Sequence, residues 1–116
     1  MKADDYVKLY QKTLDDPVTK NTKDPKLTAM TFICRDLLLE IRELIIKRNA
    51  KTAYAIAAVI KEISMKYQAI HRRLNDPDIK PNLFMIALEV GLPDLYEAYQ
   101  NFLRGELQKR MSEART

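Results

Sequence analysis

Three carboxylates share one face of a helix in the middle of the chain. Asp36, Glu40 and Glu43 are spaced at i, i+4 and i+7, and carboxylates placed in this way can hold a divalent cation such as Mg²⁺. A complete site needs further carboxylates from a facing helix, and the helix that follows offers only Glu62. We therefore predict a solvated face without a metal, on which the acids pair with basic side chains of their own helix.

One cysteine and one histidine are the other residues with catalytic or metal-binding chemistry. Cys34 lies on an apolar seam with no recognisable base partner, which predicts a buried structural thiol. His71 cannot by itself form a multi-histidine zinc site, and a single cysteine cannot form an intramolecular disulfide. The sequence therefore predicts a protein that is not an enzyme and has no catalytic residue, no cofactor and no metal.

Basic residues gather at two places that could bind phosphates. They are Arg42, Lys47, Arg48 and Lys51 around the turn between the two longest predicted helices, and Arg72 and Arg73 at the end of the second. Cations also collect at helix C-termini without any ligand, because the helix dipole favours them there. A helix of about 24 residues would hold the two clusters ~35 Å apart. The clusters make nucleic-acid binding the alternative function, although they are too far apart for one compact patch.

Four tyrosines on the first and last predicted helices are the candidate partner-binding residues. They are Tyr6, Tyr10, Tyr96 and Tyr99. Tyrosine supplies a large contact area at low entropic cost and is enriched at interfaces. Some of these rings must pack in the core or at its rim. Because the central helices use their apolar faces for the core, we place the binding surface around these four tyrosines and expect the exposed rings among them to be covered by a partner protein or by a second copy of the chain.

Apolar residues at spacings of three and four place the first two thirds of the chain on helices. The pattern predicts a short helix that ends at Asp15, a long helix over 27–46 and a second long helix over 51–74. The segment 16–26 contains two prolines and almost no apolar side chain, which predicts a solvated loop. The short connection between the long helices makes them antiparallel neighbours.

The last third of the chain contains two further predicted helices. Another proline-bearing loop follows residue 74, and Pro81 suits the first turn of a short helix that Gly91 ends. A last helix begins near Pro93. The polar tail over 108–116 is predicted to fray.

Length and composition limit the fold to one small helical domain. The 116 residues are 47% hydrophobic and 31% charged, which is enough apolar material for one core. With only 2 Gly and no Trp, the chain lacks the turns of a many-stranded β fold. We predict an all-α fold, a single antiparallel bundle of four main helices plus one short helix over 1–116.

Charge and hydropathy place few limits on function. The net charge is +4, and charged residues interrupt every apolar stretch well before the ~20 residues that span a bilayer. Asp4 and Asp5 occupy the part of the chain where a secretory signal would be basic or apolar. We therefore expect a cytoplasmic protein without a membrane span.

No set of residues suggests an acid, a base and a nucleophile that could converge, which favours binding over catalysis. The expected function is that of a small noncatalytic protein-binding adaptor, inhibitor or accessory factor, with homodimerisation as the simplest case. In architecture alone, the chain resembles small helical accessory proteins of phages and mobile elements and the immunity proteins that protect bacteria from bacteriocins.

Overall fold

The computed structural model describes residues 1–115 and contains six α-helices over that range. In chain order these are α1 (Ala3–Asp15), α2 (Pro17–Lys20), α3 (Pro25–Lys47), α4 (Ala53–Leu74), α5 (Leu83–Gly91) and α6 (Pro93–Arg115). The described residues form no strand. The prediction of an all-α fold is confirmed. The four main helices are α1, α3, α4 and α6, the predicted short helix is α5, and the one-turn α2 is an additional helix.

Local signals explain where the two central helices begin and end. The Asp24 side chain accepts a hydrogen bond from the backbone N–H of Leu27 at the start of α3. Thr52 caps α4 by accepting one from Ala55 at 3.1 Å, so both termini have side-chain N-caps. Asn49 and Asn75 follow α3 and α4 with φ of 51° and 43°, a left-handed conformation that ends a helix and that asparagine tolerates better than most residues.

The core lies mainly between α3 and α4, with α1 and α5 packed against them. Each long helix places one apolar face inside, and Leu37, Ile41, Ile60 and Ile63 are fully buried. At the base of the bundle, Tyr67 stacks on Phe84 of α5 with the ring centroids 5.6 Å apart. The alternating three- and four-residue spacing of the sequence therefore marks the faces that the two long helices bury.

Three local expectations differ from the structure. The segment predicted as a loop contains the one-turn helix α2, which starts because Asp16 accepts a hydrogen bond from Val18 and Pro17 suits a first helical turn. Helix α5 begins at Leu83, after Pro81. Helix α6 continues to Arg115, so the tail that was expected to fray is helical as far as the structure describes it.

Helix α6 starts halfway along the bundle and extends beyond it. Gly91, the last residue of α5 and two residues before α6, lies beside the middle of α3, where a Cβ would be only 2.7 Å from Cδ1 of Leu38. Eleven residues later, Phe102 reaches Tyr54 at the start of α4. Helix α6 is therefore antiparallel to α4, and residues 103–115, the α6 extension, continue past the first turn of α4. The elongated shape, 57 × 31 × 24 Å, agrees with this overhang.

Candidate functional site

A surface groove between α4 and α6 is the candidate site, and we call it the α4–α6 groove. Its volume is about 470 Å³. Helix α4 lines it with Tyr54, Ala57, Ala58 and Lys61. Helix α6 lines it with Tyr99, Phe102, Leu103, Glu106, Leu107 and Arg110. The groove exists because small alanine side chains on α4 face longer side chains on α6 without filling the space between the helices.

An aromatic pair closes the α4 side of the groove near the start of that helix. Tyr54 and Phe102 are 5.8 Å apart between ring centroids, with their planes at 71°, an edge-to-face arrangement that aromatic rings favour. Tyr54 nevertheless remains 71% exposed. The ring thus packs edge-to-face against Phe102 while most of its surface faces solvent.

The α6 extension continues the apolar lining as a stripe. Leu103, Leu107 and Met111 repeat every four residues and are 41%, 59% and 51% exposed. Side chains at i and i+4 lie on the same side of a helix, so these three form one row. None of the side chains from 103 to 114 is buried. The stripe therefore contributes little to the core and presents apolar surface beside the groove.

The groove and the end of the molecule around it carry more positive than negative charge. Lys61 and Arg110 line it together with a single carboxylate, Glu106, and no ion pair within the described residues engages either cation. The segments 42–62 and 100–114, which form this end of the molecule, contain eight basic and four acidic residues. Their excess equals the +4 net charge of the whole chain. The field at the groove should therefore attract negative charge.

The expectation that Tyr6 and Tyr10 are exposed is wrong. They are 2% and 3% exposed, because α1 packs against both α3 and α4 and turns its tyrosine face inward. The Tyr6 hydroxyl donates a hydrogen bond to Glu40 of α3, which satisfies the polar end of a buried ring. Burial and the contact with Glu40 raise the pKa of Tyr6 far above its ordinary value of 10.0.

The two tyrosines of α6 are both partly buried and pack against the core, and of the two only Tyr99 also lines the groove. Tyr54, which the sequence interpretation did not select, provides most of the exposed aromatic surface there. It directly follows the seam position Ala53, about 100° around the helix, so an aromatic residue off the apolar seam is the signal that could have identified it.

The basic residues of the predicted phosphate sites are separated, and some are paired. Arg48 forms a bidentate ion pair with Glu62, in which its two terminal guanidinium nitrogens donate to the two carboxylate oxygens at 2.7 and 3.3 Å. Arg73 forms an ion pair with Asp4. The residues of the first cluster, Arg42, Lys47, Arg48 and Lys51, lie near the start of α4. Arg72 and Arg73 lie at its other end, about 33 Å away along a helix of 22 residues. The two clusters cannot form one patch.

The acidic face of α3 serves the fold. Glu40 pairs with Lys66 of α4 and accepts the hydrogen bond from Tyr6, so the expectation that it pairs within its own helix is wrong. Burial alone would raise the pKa of Glu40, but the hydrogen bonds from Lys66 and Tyr6 bring it below its ordinary value of 4.5. No group of three or more His, Cys, Asp or Glu side chains in residues 1–115 could hold a metal ion.

The cysteine and the histidine also have structural surroundings. Cys34 is fully buried, and burial raises its pKa to about 12, which keeps it a thiol at physiological pH. His71 is half-buried, and its Nε2–H donates to the carbonyl oxygen of Ile79 at 3.1 Å. Cys34 is therefore part of the buried core, and His71 is held by a hydrogen bond to the backbone.

Comparison with protein families, with curated proteins and with solved structures finds no significant match for this chain. Across the described residues, every helix is too short or too polar to cross a membrane. The candidate site therefore rests on the geometry and the charge of the chain itself.

Proposed function

We propose that this chain is a noncatalytic protein-interaction domain, an adaptor, inhibitor or accessory factor, and that its partner docks in the α4–α6 groove. The observation that carries the proposal is the exposed apolar lining, in which Tyr54, Leu103 and Leu107 share one concave surface and the exposed Met111 continues the row along α6. Contiguous apolar surface of this kind is typical of interaction sites. We place the interaction in the cytoplasm, as the sequence predicts.

The chemistry of the lining supports binding. Tyrosine is a common energetic anchor of protein interfaces, and an exposed ring loses its contact with water when a partner covers it. The groove also offers the cations Lys61 and Arg110 and the carboxylate Glu106, side chains that set orientation at an interface rim. Among the residues that line the groove, no nucleophile is paired with a base that could activate it.

Nucleic-acid binding is the second candidate, and the excess of basic residues at the groove end of the molecule favours it. Arg42, Lys47 and Lys51 belong to this region and would contact phosphates rather than bases. Binding of this type weakens steeply with salt. A short DNA duplex that bound with such a salt dependence, and that lost affinity when these three residues were replaced with glutamine, would support this second candidate.

Site-specific photocrosslinking in the native host tests the protein-interaction proposal. A photoreactive phenylalanine derivative replaces Leu107 in the groove, and in a matched chain it replaces Val90, which is 79% exposed on α5. We expect one discrete adduct with a second protein from position 107 and none from position 90. The purified partner should then bind the unmodified chain, and Tyr54→Ser should weaken that binding by about 1 to 3 kcal/mol.

Two results would contradict the proposal. One is the absence of any adduct from position 107, and the other is an equal yield of the same adduct from both positions. Tyr54→Ser must also leave the helical circular dichroism spectrum unchanged, which is expected for a ring that is mostly exposed. A crosslink of the chain to itself would show a homodimer in the groove instead of a foreign partner.

A further inference from the structure

We propose that the ligand of the α4–α6 groove is an amphipathic helix with an acidic polar face. Its apolar side chains would pack on Tyr54 and Leu107, and its carboxylates would meet Lys61 and Arg110. This inference rests on the proposed function and adds the class of partner to it.

The shape of the groove favours a helix. Helices α4 and α6 are antiparallel neighbours, and the space between two such helices accepts a third helix whose side chains enter it as a ridge. The α6 extension lengthens this surface, because Leu103, Leu107 and Met111 repeat every four residues along it. A bound helix that presented apolar residues at i, i+3, i+4 and i+7 would cover both the groove and the row.

The charge of the groove favours an acidic helix. Lys61 and Arg110 line the groove without an ion pair in the described chain. The segments 42–62 and 100–114 at this end of the molecule contain eight basic and four acidic residues. Acidic residues that flank the apolar face of a ligand would pair with the two cations at the rim. Complementary charge of this kind speeds association and fixes orientation.

The same observations argue against three other ligands. A second copy of the chain would bring two regions of equal positive charge together. A phosphate backbone would complement the charge but would leave the apolar row uncovered. A bilayer surface is flat on this scale, whereas the groove is concave with a volume of about 470 Å³.

Two synthetic helical peptides of about 18 residues, or five turns, test the inference. They share one leucine-rich apolar face, and their polar positions are glutamate in one peptide and lysine in the other. Fluorescence anisotropy of the labelled peptides measures binding to the full chain at low salt. We expect the glutamate peptide to bind about tenfold more tightly or better, and we expect Tyr54→Ser to weaken that binding.

Charge reversal provides the matched control. The double variant Lys61→Glu, Arg110→Glu should lose the preference for the glutamate peptide or reverse it. The variant Lys20→Glu, Lys23→Glu changes the net charge equally, but at exposed positions near the start of α3, and it should keep the preference. Both variants replace exposed side chains and should remain helical.

The outcomes separate this inference from the proposed function. Equal binding of the two peptides, or an equal loss in both charge variants, would overturn the acidic helix and leave the groove as a docking site. If neither peptide bound while position 107 still crosslinked to a partner, the acidic helix would likewise be overturned and the groove would remain a docking site. Groove-dependent dimers in ultracentrifugation, or tighter binding to duplex DNA or to phosphatidylserine vesicles, would overturn the acidic helix in favour of that ligand.

Discussion

At the scale of single residues, the side chains with the most reactive chemistry belong to the packing of the bundle. Glu40 connects α1, α3 and α4 through Tyr6 and Lys66. A half-buried carboxylate loses hydration and needs donors of this strength to remain charged. The three side chains therefore connect α1, α3 and α4 through two charge-assisted hydrogen bonds.

Replacing Glu40 should weaken the fold in a pH-dependent way. Because the pKa of Glu40 is lower in the folded chain than its ordinary value of 4.5, ionisation stabilises the fold above that pH. The contribution is lost as the pH falls through the folded pKa. We expect Glu40→Gln to lower the free energy of unfolding by about 1 to 3 kcal/mol at neutral pH, and the difference from the unmodified chain should shrink in acid.

Urea unfolding between neutral pH and about pH 3 measures this effect. The control is Glu43→Gln, which changes an exposed carboxylate on the same helix and should cost little at any pH. A Glu40→Gln deficit that stays constant over the whole range would show that shape, and not charge, accounts for the contribution of this residue.

At the scale of helices, the sequence was informative where a face is buried along its whole length. The seams of α3 and α4 were predicted from spacing alone, since each repeats over several turns and each meets the core. Helix α2 was missed because one turn is too short for any periodicity. The end of α6 was missed because its apolar residues are few and exposed, and composition alone predicted a frayed tail.

The facing seams give a stability prediction. Ile41 of α3 and Ile63 of α4 are both 0% exposed, so replacement of either with alanine should leave a cavity and cost about 2 to 5 kcal/mol. Ile46 of α3 is 79% exposed, and Ile46→Ala should cost less than about 1 kcal/mol. Chemical denaturation compares the three. Losses of similar size at positions 46 and 41 would contradict the assignment of the buried face.

The glycine within α6 gives a prediction of opposite sign. Gly105 lies inside the helix, and apart from its chain neighbours and the backbone of its own helix no atom lies within 4 Å of the place a Cβ would occupy. Alanine there should stabilise the chain by about 0.5 to 1 kcal/mol, because glycine has more backbone freedom to lose on folding. A thermal scan would show a raised midpoint. A lowered midpoint would mean that this part of α6 does not remain helical in solution.

At the scale of the whole molecule, the candidate site depends on contacts between helices, which the spacing of residues along the sequence does not reveal. Periodicity identifies an apolar face but not the element that covers it, so Tyr6 and Tyr10 were expected on a surface that α3 and α4 in fact cover. The groove depends on where α6 crosses α4, which is a long-range relation. Of the predicted partner-binding residues, only Tyr99 reaches the groove, and Tyr54 was found only from the structure.

The α6 extension gives a prediction about which part of the chain is needed for folding and which part for binding. A stop codon in place of Glu106 removes the last three turns of α6, whose described side chains are unburied. The shortened chain should keep its cooperative unfolding and lose about 1 kcal/mol or less. Its circular dichroism should fall only by the helix removed. Binding at the groove should be lost, because Leu107 and Arg110 line it.

A second truncation gives the contrast. A stop codon in place of Leu95 also removes Tyr96 and Tyr99, which pack against the core, and should destabilise the chain by several kcal/mol or prevent folding. If the shorter deletion were as damaging as the longer one, the α6 extension would belong to the folding unit. If instead the chain without it folds and no longer binds, the bundle is the scaffold and the extension is the part of the molecule available to a partner.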